Sequence, residues 1–145
     1  MGTMKTMDAV KKPDTVDIAF VCSPYRAKST DPETAAAEVR ANRDRAKLAC
    51  KVLTRLGYLP LAPHLYFTEF LNDDHASDRE DGICLGLKWL EMASEFFCFG
   101  DEITEGMSIE LARAKELGVP VRMMPEPEEL IKDLLEAVRE ENIYE

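Results

Sequence analysis

The sequence predicts an α/β protein: one domain built on a doubly wound parallel sheet of four to five strands, with helices flanking the sheet. Short apolar, β-rich segments alternate with longer segments whose apolar residues recur at helical spacing, in the order βαβαβαβα. The β-rich segments are continuous apolar runs, which is typical of parallel strands covered on both faces. The length of 145 residues fits a single domain with a substantial core.

The first half of the chain supplies a strand, a long helix and a second strand. Residues 16–22 are the first predicted strand, and Ser23-Pro24-Tyr25-Arg26 ends it as a loop. Asp31 followed by Pro32 has the pattern of a helix start, and Gly57 is a helix stop, so a helix is predicted over 32–56. Its apolar stripe is Val39, Ala46, Ala49, Leu53 and Leu56.

The middle of the chain repeats this alternation. Residues 58–62 are a short second strand, and residues 63–67 are predicted to leave it as a loop. The acidic stretch 72–81, including Asp73, Asp74 and Asp78, is expected to be exposed to solvent. A helix is predicted over 79–92, with Ile83, Leu87 and Leu90 facing inward, and a third strand over 95–100.

The last third holds a helix that ends at Leu117-Gly118, a fourth strand over 119–123 and a final helix that starts at 125–127. The apolar stripe of the final helix is Leu130, Ile131, Leu134, Leu135 and Val138. Residues 1–15 are predicted to be a flexible N-terminal segment, residues 16–140 the domain, and the polar tail from Arg139 is expected to fray.

Composition excludes several classes of partner. The formal net charge of −10 and the pI of about 4.7 argue against binding to nucleic-acid polymers, although a single nucleotide remains possible. No apolar run approaches the ~20 residues of a membrane span, and the start of the chain lacks the apolar stretch of a signal peptide. We therefore expect a cytoplasmic protein that does not contact a membrane.

Metal and cofactor motifs are not found in the sequence. The four cysteines form no C-x-x-C pair, and the two histidines, His64 and His75, have no spacing that links them to the cysteines. Buried, reduced thiols are therefore predicted. The chain has no Walker A motif, no G-x-G-x-x-G after the first strand and no G-x-S-x-G, so we expect no metal and no cofactor.

Glu110 is the first candidate for chemistry. It shares a predicted helical face with Met107, Leu111, Ala114 and Leu117, and these spacings are typical of a core-facing stripe. An inward carboxylate is costly unless it is paired or used. Because Glu110 is expected in or near the first helical turn, the helix dipole should favour its ionised form.

Three loops should meet Glu110 at the carboxyl edge of the sheet, where open α/β sheets bind ligands. Their candidate residues are Ser23, Tyr25, Arg26, His64, Asp101, Gly106, Met107 and Ser108. Structural alternatives stay open: Asp101 is also a plausible turn or capping residue, Tyr25 a packing residue and His64 a brace for its loop. The basic residues are predicted to form a solvated, salt-bridging face, and of these only Arg26 sits where a phosphate could reach it; they are Arg26, Lys28, Arg40, Arg43 and Arg45.

At these loops the chain resembles the nucleoside 2-deoxyribosyltransferase-like superfamily, and most closely its small bacterial and phage members. The matching segments are Ser23–Arg26, Asn42-Arg43, Pro60–Tyr66, Gly100-Asp101 and Glu105–Ala112. The last of these resembles the family's loop-to-helix motif, although here Ser108 and Ile109 separate Met107 from Glu110. The resemblance covers residues 17–123 and implies a Rossmann-like or flavodoxin-like domain that forms a homo-oligomer.

The resemblance also implies an activity and roles for residues. Glu110 would be the nucleophile, Asp101 the acid that faces the base or helps to protonate it, and Tyr25 the aromatic residue near the sugar. Ser23 and Ser108, with amides at the helix start, could hold a 5′-phosphate. The implied function is cleavage or transfer at the N-glycosidic bond of a (deoxy)nucleoside or nucleoside 5′-monophosphate. The alternative from another class is a non-catalytic nucleotide- or ADP-ribose-binding sensor.

Overall fold

The computed structural model describes residues 16–133 and residue 136. Its strands and helices, in chain order, are β1 (Asp17–Cys22), α1 (Pro32–Arg55), β2 (Tyr58–Leu61), α2 (Pro63–Tyr66), a 3₁₀ turn (Phe67–Glu69), α3 (Ala76–Glu91), β3 (Glu95–Phe99), α4 (Glu105–Leu117) and β4 (Val121–Met124). Residues 127–133 are also helical and are labelled α5. The predicted flexible segment 1–15, the tail from Arg139, and Leu134, Leu135 and Val138 of the last predicted stripe lie outside the described residues.

The four strands form one parallel sheet in the order β2-β1-β3-β4. From β1 the chain moves to one side to form β2 and then crosses to the other side to form β3, so the direction of winding reverses between β1 and β3. In open α/β sheets, the carboxyl ends of the strands on either side of such a reversal form a crevice. The predicted doubly wound parallel sheet is confirmed, with four strands.

Each face of the sheet carries its own hydrophobic core. Ala19, Val21, Phe97 and Phe99 point to the face that α1 covers through Ala49 and Leu53, and Leu130 of α5 packs there as well. On the opposite face Phe20, Cys22, Phe96 and Cys98 pack against Leu90 of α3 and against Met107 and Ala114 of α4. Both faces are therefore buried, which explains why the strands are continuous apolar runs.

The ends of helix α1 follow the predicted signals. The Asp31 carboxylate accepts a hydrogen bond of 3.0 Å from the Thr34 backbone N–H, which satisfies one of the free donors at the helix start. At the other end Gly57 has φ of 94°, a left-handed conformation that ends the helix and that glycine adopts without strain. The turn into β2 is thereby fixed.

The structure corrects three predicted elements. Residues 63–67, predicted as a loop, form the helical turn α2, because Pro63 supplies the φ of a first helical position. Helix α3 begins at Ala76, so the acidic stretch provides its first turn. Leu56 is 50% exposed because it caps α1, and Val52 takes the buried position instead. Among the described residues, the structure contains no helix with both the length and the apolar character that a membrane crossing requires.

Candidate active site

A cavity of about 390 Å³ opens at the carboxyl ends of β1 and β3, where the winding of the sheet reverses. Its walls come from the loop after β1, from α2 and the following 3₁₀ turn, from α3, and from the start of α4. Of the residues predicted from sequence it brings together Ser23, Tyr25, Arg26, His64, Gly106, Met107 and Glu110. The volume is in the range of pockets that bind small molecules.

Two predicted site residues do not join this cavity. Asp101 is exposed on the turn after β3 and lines a neighbouring cleft with Asn42 and Glu126. Ser108 is also exposed, and its hydroxyl donates a 2.6 Å hydrogen bond to the Glu105 carbonyl. Ser108 follows the buried Met107, and successive helical residues point in directions about 100° apart, so it is turned away from the site.

Glu110 is the sixth residue of α4, which begins at Glu105 with Thr104 as its N-cap. Glu110 therefore lies near the first turn, as expected, but not in it, and the helix dipole, which acts mainly within that turn, does little for it. The predicted face is otherwise confirmed, because Met107 and Ala114 are buried against the sheet. Leu117, at the end of the helix, is 36% exposed.

The Glu110 side chain enters an apolar environment that contains two thiols. It lies close to the thiols of Cys22 and Cys98, and the Cys22 thiol itself donates a hydrogen bond of 3.9 Å to the Met107 carbonyl. Burial raises the pKa of Glu110 to about 8, while the nearby Cys22 thiol has a smaller effect in the opposite direction. The carboxyl group is therefore mostly neutral at pH 7 in the free protein.

Ser23 and His64 form a second polar pair in the cavity. The Ser23 Oγ lies 3.2 Å from His64 Nε2, and the Tyr25 ring packs on the imidazole with a centroid distance of 5.5 Å. Burial, with a smaller effect of the nearby Arg43 charge, lowers the pKa of His64 to about 4. The imidazole is therefore neutral at pH 7 and can either accept or donate one hydrogen bond at Nε2.

Helix α1 holds the backbone at Tyr25 and at His64 through the side chains of Asn42 and Arg43. The Asn42 side-chain amide donates a 3.0 Å hydrogen bond to the Tyr25 carbonyl, and Arg43 donates one of 3.1 Å to the His64 carbonyl. Arg43 was predicted on a solvated, salt-bridging face: it does pair with Glu69, at 2.6 Å, but the solvated part of the prediction is wrong, since its side chain is only 21% exposed. The spacing of Asn42 and Arg43 from Val39 and Ala46 places them on the inner face of α1, and that signal could have found them.

Charged side chains at the cavity are engaged with each other. Arg26 and Arg79 both pair with Asp73, at 3.1 and 3.2 Å, and Lys28 pairs with Glu102. Asp73, predicted to be solvent-exposed, lines the cavity with a side chain that is 24% exposed. A phosphate at Arg26 would therefore have to compete with Asp73.

Several apolar and small residues that line the cavity were not among the predicted site residues, and α2, the 3₁₀ turn and α3 contribute them. They include Pro63, Phe67, Gly82 and Ile83. Taken together, the cavity offers one buried carboxyl, one neutral imidazole, a hydroxyl and aromatic surface. Within the described residues, no group of three or more His, Cys, Asp or Glu side chains is placed to hold a metal ion.

The fold and this cavity define an α/β domain whose candidate reactive group is a carboxyl. Residues 17–124 match the family described as "Domain of unknown function (DUF7768)", and the chain belongs to that family. Comparison with curated proteins gave no match.

Among solved structures, the chain is similar to the 2-deoxyribosyltransferase from the psychrotolerant bacterium Bacillus psychrosaccharolyticus. The TM-score is 0.53 and the sequence identity 20%, over 74% of this chain and 71% of that chain. At this identity the similarity shows a shared fold.

Proposed function

We propose that this protein cleaves or transfers the N-glycosidic bond of a (deoxy)nucleoside or nucleoside 5′-monophosphate, with Glu110 as the nucleophile. The observation that carries the proposal is the position of Glu110: a half-buried carboxyl in the cavity at the reversal between β1 and β3. The shared fold with a 2-deoxyribosyltransferase supports the choice of substrate class.

In the proposed reaction, a Glu110 carboxylate oxygen forms a bond to C1′ of the sugar. The bond between C1′ and the base nitrogen breaks, and its electron pair stays on the base, which takes up a proton. Attack on C1′ by water then releases the sugar and restores the carboxylate, whereas attack by a nitrogen of a second base gives transfer.

The other side chains of the cavity suit binding of a nucleoside. Tyr25 provides an aromatic surface for the base or the sugar face, and the Ser23–His64 pair offers hydrogen bonds to polar groups of the ligand. His64 is neutral at pH 7 and Asp101 lies outside the cavity, so we assign the proton for the leaving base to solvent at the cavity mouth.

Nucleophilic attack requires the ionised form of Glu110. Since the pKa of Glu110 is about 8, only a minor fraction of the free protein carries the carboxylate at pH 7. The rate of base release should therefore rise about tenfold per pH unit well below pH 8 and level off above it.

A second candidate function has one observation in its favour. A neutral Glu110 can donate a hydrogen bond to a ligand, which suits a nucleotide- or ADP-ribose-binding module that does not turn its ligand over. This alternative predicts tight binding of a ligand that is not converted, and the binding should weaken as Glu110 loses its proton above about pH 8.

One experiment separates the two. The protein is incubated with deoxynucleosides, their 5′-monophosphates and NAD at pH values below and above 8, and free bases are resolved by chromatography, with Glu110→Ala in parallel. We expect base release that falls by roughly 10³-fold or more in the variant, and addition of a second base then distinguishes transfer from hydrolysis. Binding without any release would instead support the binding module.

A further inference from the structure

Two arginines reach the cavity from different elements and meet on one carboxylate. Arg26 belongs to the loop after β1, and Arg79 is the fourth residue of α3. The Asp73 Oδ2 atom lies 3.1 Å from Arg26 Nε and 3.2 Å from Arg79 Nη1, and the same Nη1 lies 3.4 Å from Asp73 Oδ1. Both oxygens of the Asp73 carboxylate are therefore engaged.

The position of Asp73 is fixed by a turn that is tied to the start of α3. The Asn72 backbone N–H donates a 2.8 Å hydrogen bond to Asp78 Oδ2, and the backbone N–H groups of Asp74 and His75 each donate one of 3.0 Å to Asn72 oxygens. These contacts hold Asp73 beside Arg79. Its contact with Arg26 then joins α3 to the loop after β1 at the cavity.

The charges that line the cavity balance each other. Three cationic side chains and three acidic ones belong to this lining besides Glu110: Arg26, Lys28 and Arg79, and Asp73, Glu102 and Glu105. Glu110 is mostly neutral at pH 7, and its ionisation would only add negative charge. On a chain with a formal net charge of −10, such a cavity offers no net attraction to a phosphate dianion.

The obstacle to a phosphate is its charge rather than a lack of donors. An arginine has five N–H donors, so a guanidinium that pairs with a carboxylate can still bind another acceptor. A phosphate at Arg26 and Arg79 would, however, lie next to the like charge of Asp73, which is unfavourable. The side chains of Asp73 and Arg79 are only 24% and 23% exposed, so water screens this repulsion incompletely.

We propose that Asp73 is a specificity residue: it neutralises Arg26 and Arg79, so that the cavity accepts a nucleoside with an unmodified 5′-hydroxyl in preference to a nucleoside 5′-monophosphate. This preference between substrates rests on the proposed function, but the exclusion of phosphate does not. Without the carboxylate, the two guanidinium groups would form a pair of donors that suits a phosphate. A single substitution should therefore reverse the preference.

The first test measures binding of inorganic phosphate to the substrate-free protein by isothermal titration calorimetry. Asp73→Asn removes the charge, and Asp73→Glu keeps it. Asp74→Asn is the matched control, because it makes the same change in net charge at an exposed neighbour that is not part of the cavity lining. We expect phosphate to bind roughly tenfold more tightly to Asp73→Asn than to the wild type, Asp73→Glu or Asp74→Asn.

The gain should disappear when Arg79→Gln is added to Asp73→Asn, which locates the bound phosphate at the arginine pair. Equal affinity of the wild type and Asp73→Asn for phosphate, or an equal gain in Asp74→Asn or Asp73→Glu, would overturn the proposal. A gain that persists after Arg79→Gln would overturn it as well.

The second test compares kcat/KM for a deoxynucleoside and for its 5′-monophosphate. We expect the wild type to prefer the deoxynucleoside, and the ratio to move toward the monophosphate by roughly tenfold in Asp73→Asn. A general loss of activity in the variant cancels in this ratio. A wild type that prefers the monophosphate would overturn the proposal, whereas cleavage of neither compound would contradict the proposed function and leave phosphate binding to decide the role of Asp73.

Discussion

At the scale of single residues, Glu110 links protonation to folding. In the folded chain its pKa is about 8, whereas an exposed glutamate has a value of 4.5. Between these two values the folded protein holds a proton that the unfolded chain has lost. The free energy of unfolding should therefore fall as the pH rises through this interval and stop falling above about 8.

Glu110→Gln should remove this dependence, because glutamine does not titrate. Relative to the variant, the wild type should lose about 1 kcal/mol of stability per pH unit averaged over the interval from 4.5 to about 8, below the limit of ~1.4 because the proton difference is incomplete near each pKa. Urea denaturation of both proteins at several pH values measures the difference. Parallel stability curves for the two proteins would show that Glu110 titrates normally.

Asp101 provides a second test of the site, because substitution of a residue outside the cavity should leave the activity nearly unchanged. Because it lies on an exposed turn outside the cavity, Asp101→Asn should keep base release within about twofold of the wild type. If Asp101 instead protonates the leaving base, as the sequence motif implies, the loss should be ~100-fold or more. Steady-state rates of base release for the two proteins distinguish these outcomes.

Glu110 could be found from sequence because its spacing from Met107 and Ala114 puts it on a buried helical face. The position of Asp101 could not, since it depends on the path of the backbone after Gly100, which has φ of 92°. The contacts of Arg43 were missed for a related reason. The spacing of Arg43 places it on the inner face of α1, but it does not show which groups of α2 its long side chain reaches.

At the scale of elements, the turn from β3 to α4 determines where the helix that carries Glu110 begins. Gly100 adopts a left-handed φ, and a Cβ at this position would lie 2.6 Å from Glu126 Oε1, while the other oxygen of that carboxylate, Oε2, pairs with Arg45. Its backbone N–H also donates a 3.0 Å hydrogen bond to the Met124 carbonyl. The turn therefore has little room for a side chain.

Gly100→Ala should destabilise the protein by about 1–3 kcal/mol, mainly through backbone strain at its left-handed φ, because the end of the Glu126 side chain can move away from the added Cβ. The matched control is Gly106→Ala, where an added Cβ meets no atom within 4 Å and helical glycine is replaced by a better helix former. Thermal unfolding of the two variants measures the contrast. Equal melting temperatures for both would contradict the strain at Gly100.

The strands and long helices were predictable because burial on both faces leaves a strong pattern in the sequence. The turn α2 was not, because the four residues Pro63–Tyr66 are too few to show a helical period. The start of α3 was placed too late for a similar reason: its first turn is polar and exposed, so the apolar stripe begins only further along the helix.

At the scale of the whole molecule, the order β2-β1-β3-β4 sets the position of the cavity. The reversal brings the loop after β1 and the start of α4 together, and α2 closes one side. The fold therefore positions Ser23, His64 and Glu110 from three distant parts of the sequence. The homo-oligomer that the motif resemblance implies stays a prediction, which sedimentation of the full chain can measure.

The central claim is that Glu110 attacks C1′ of a nucleoside. The most direct test is peptide mapping by mass spectrometry after the reaction with a cleaved nucleoside has been stopped with acid during turnover. We predict a mass increase of one sugar residue on Glu110, and none in Glu110→Gln. Attachment of the sugar to another residue, or base release at the wild-type rate in Glu110→Gln, would contradict the account.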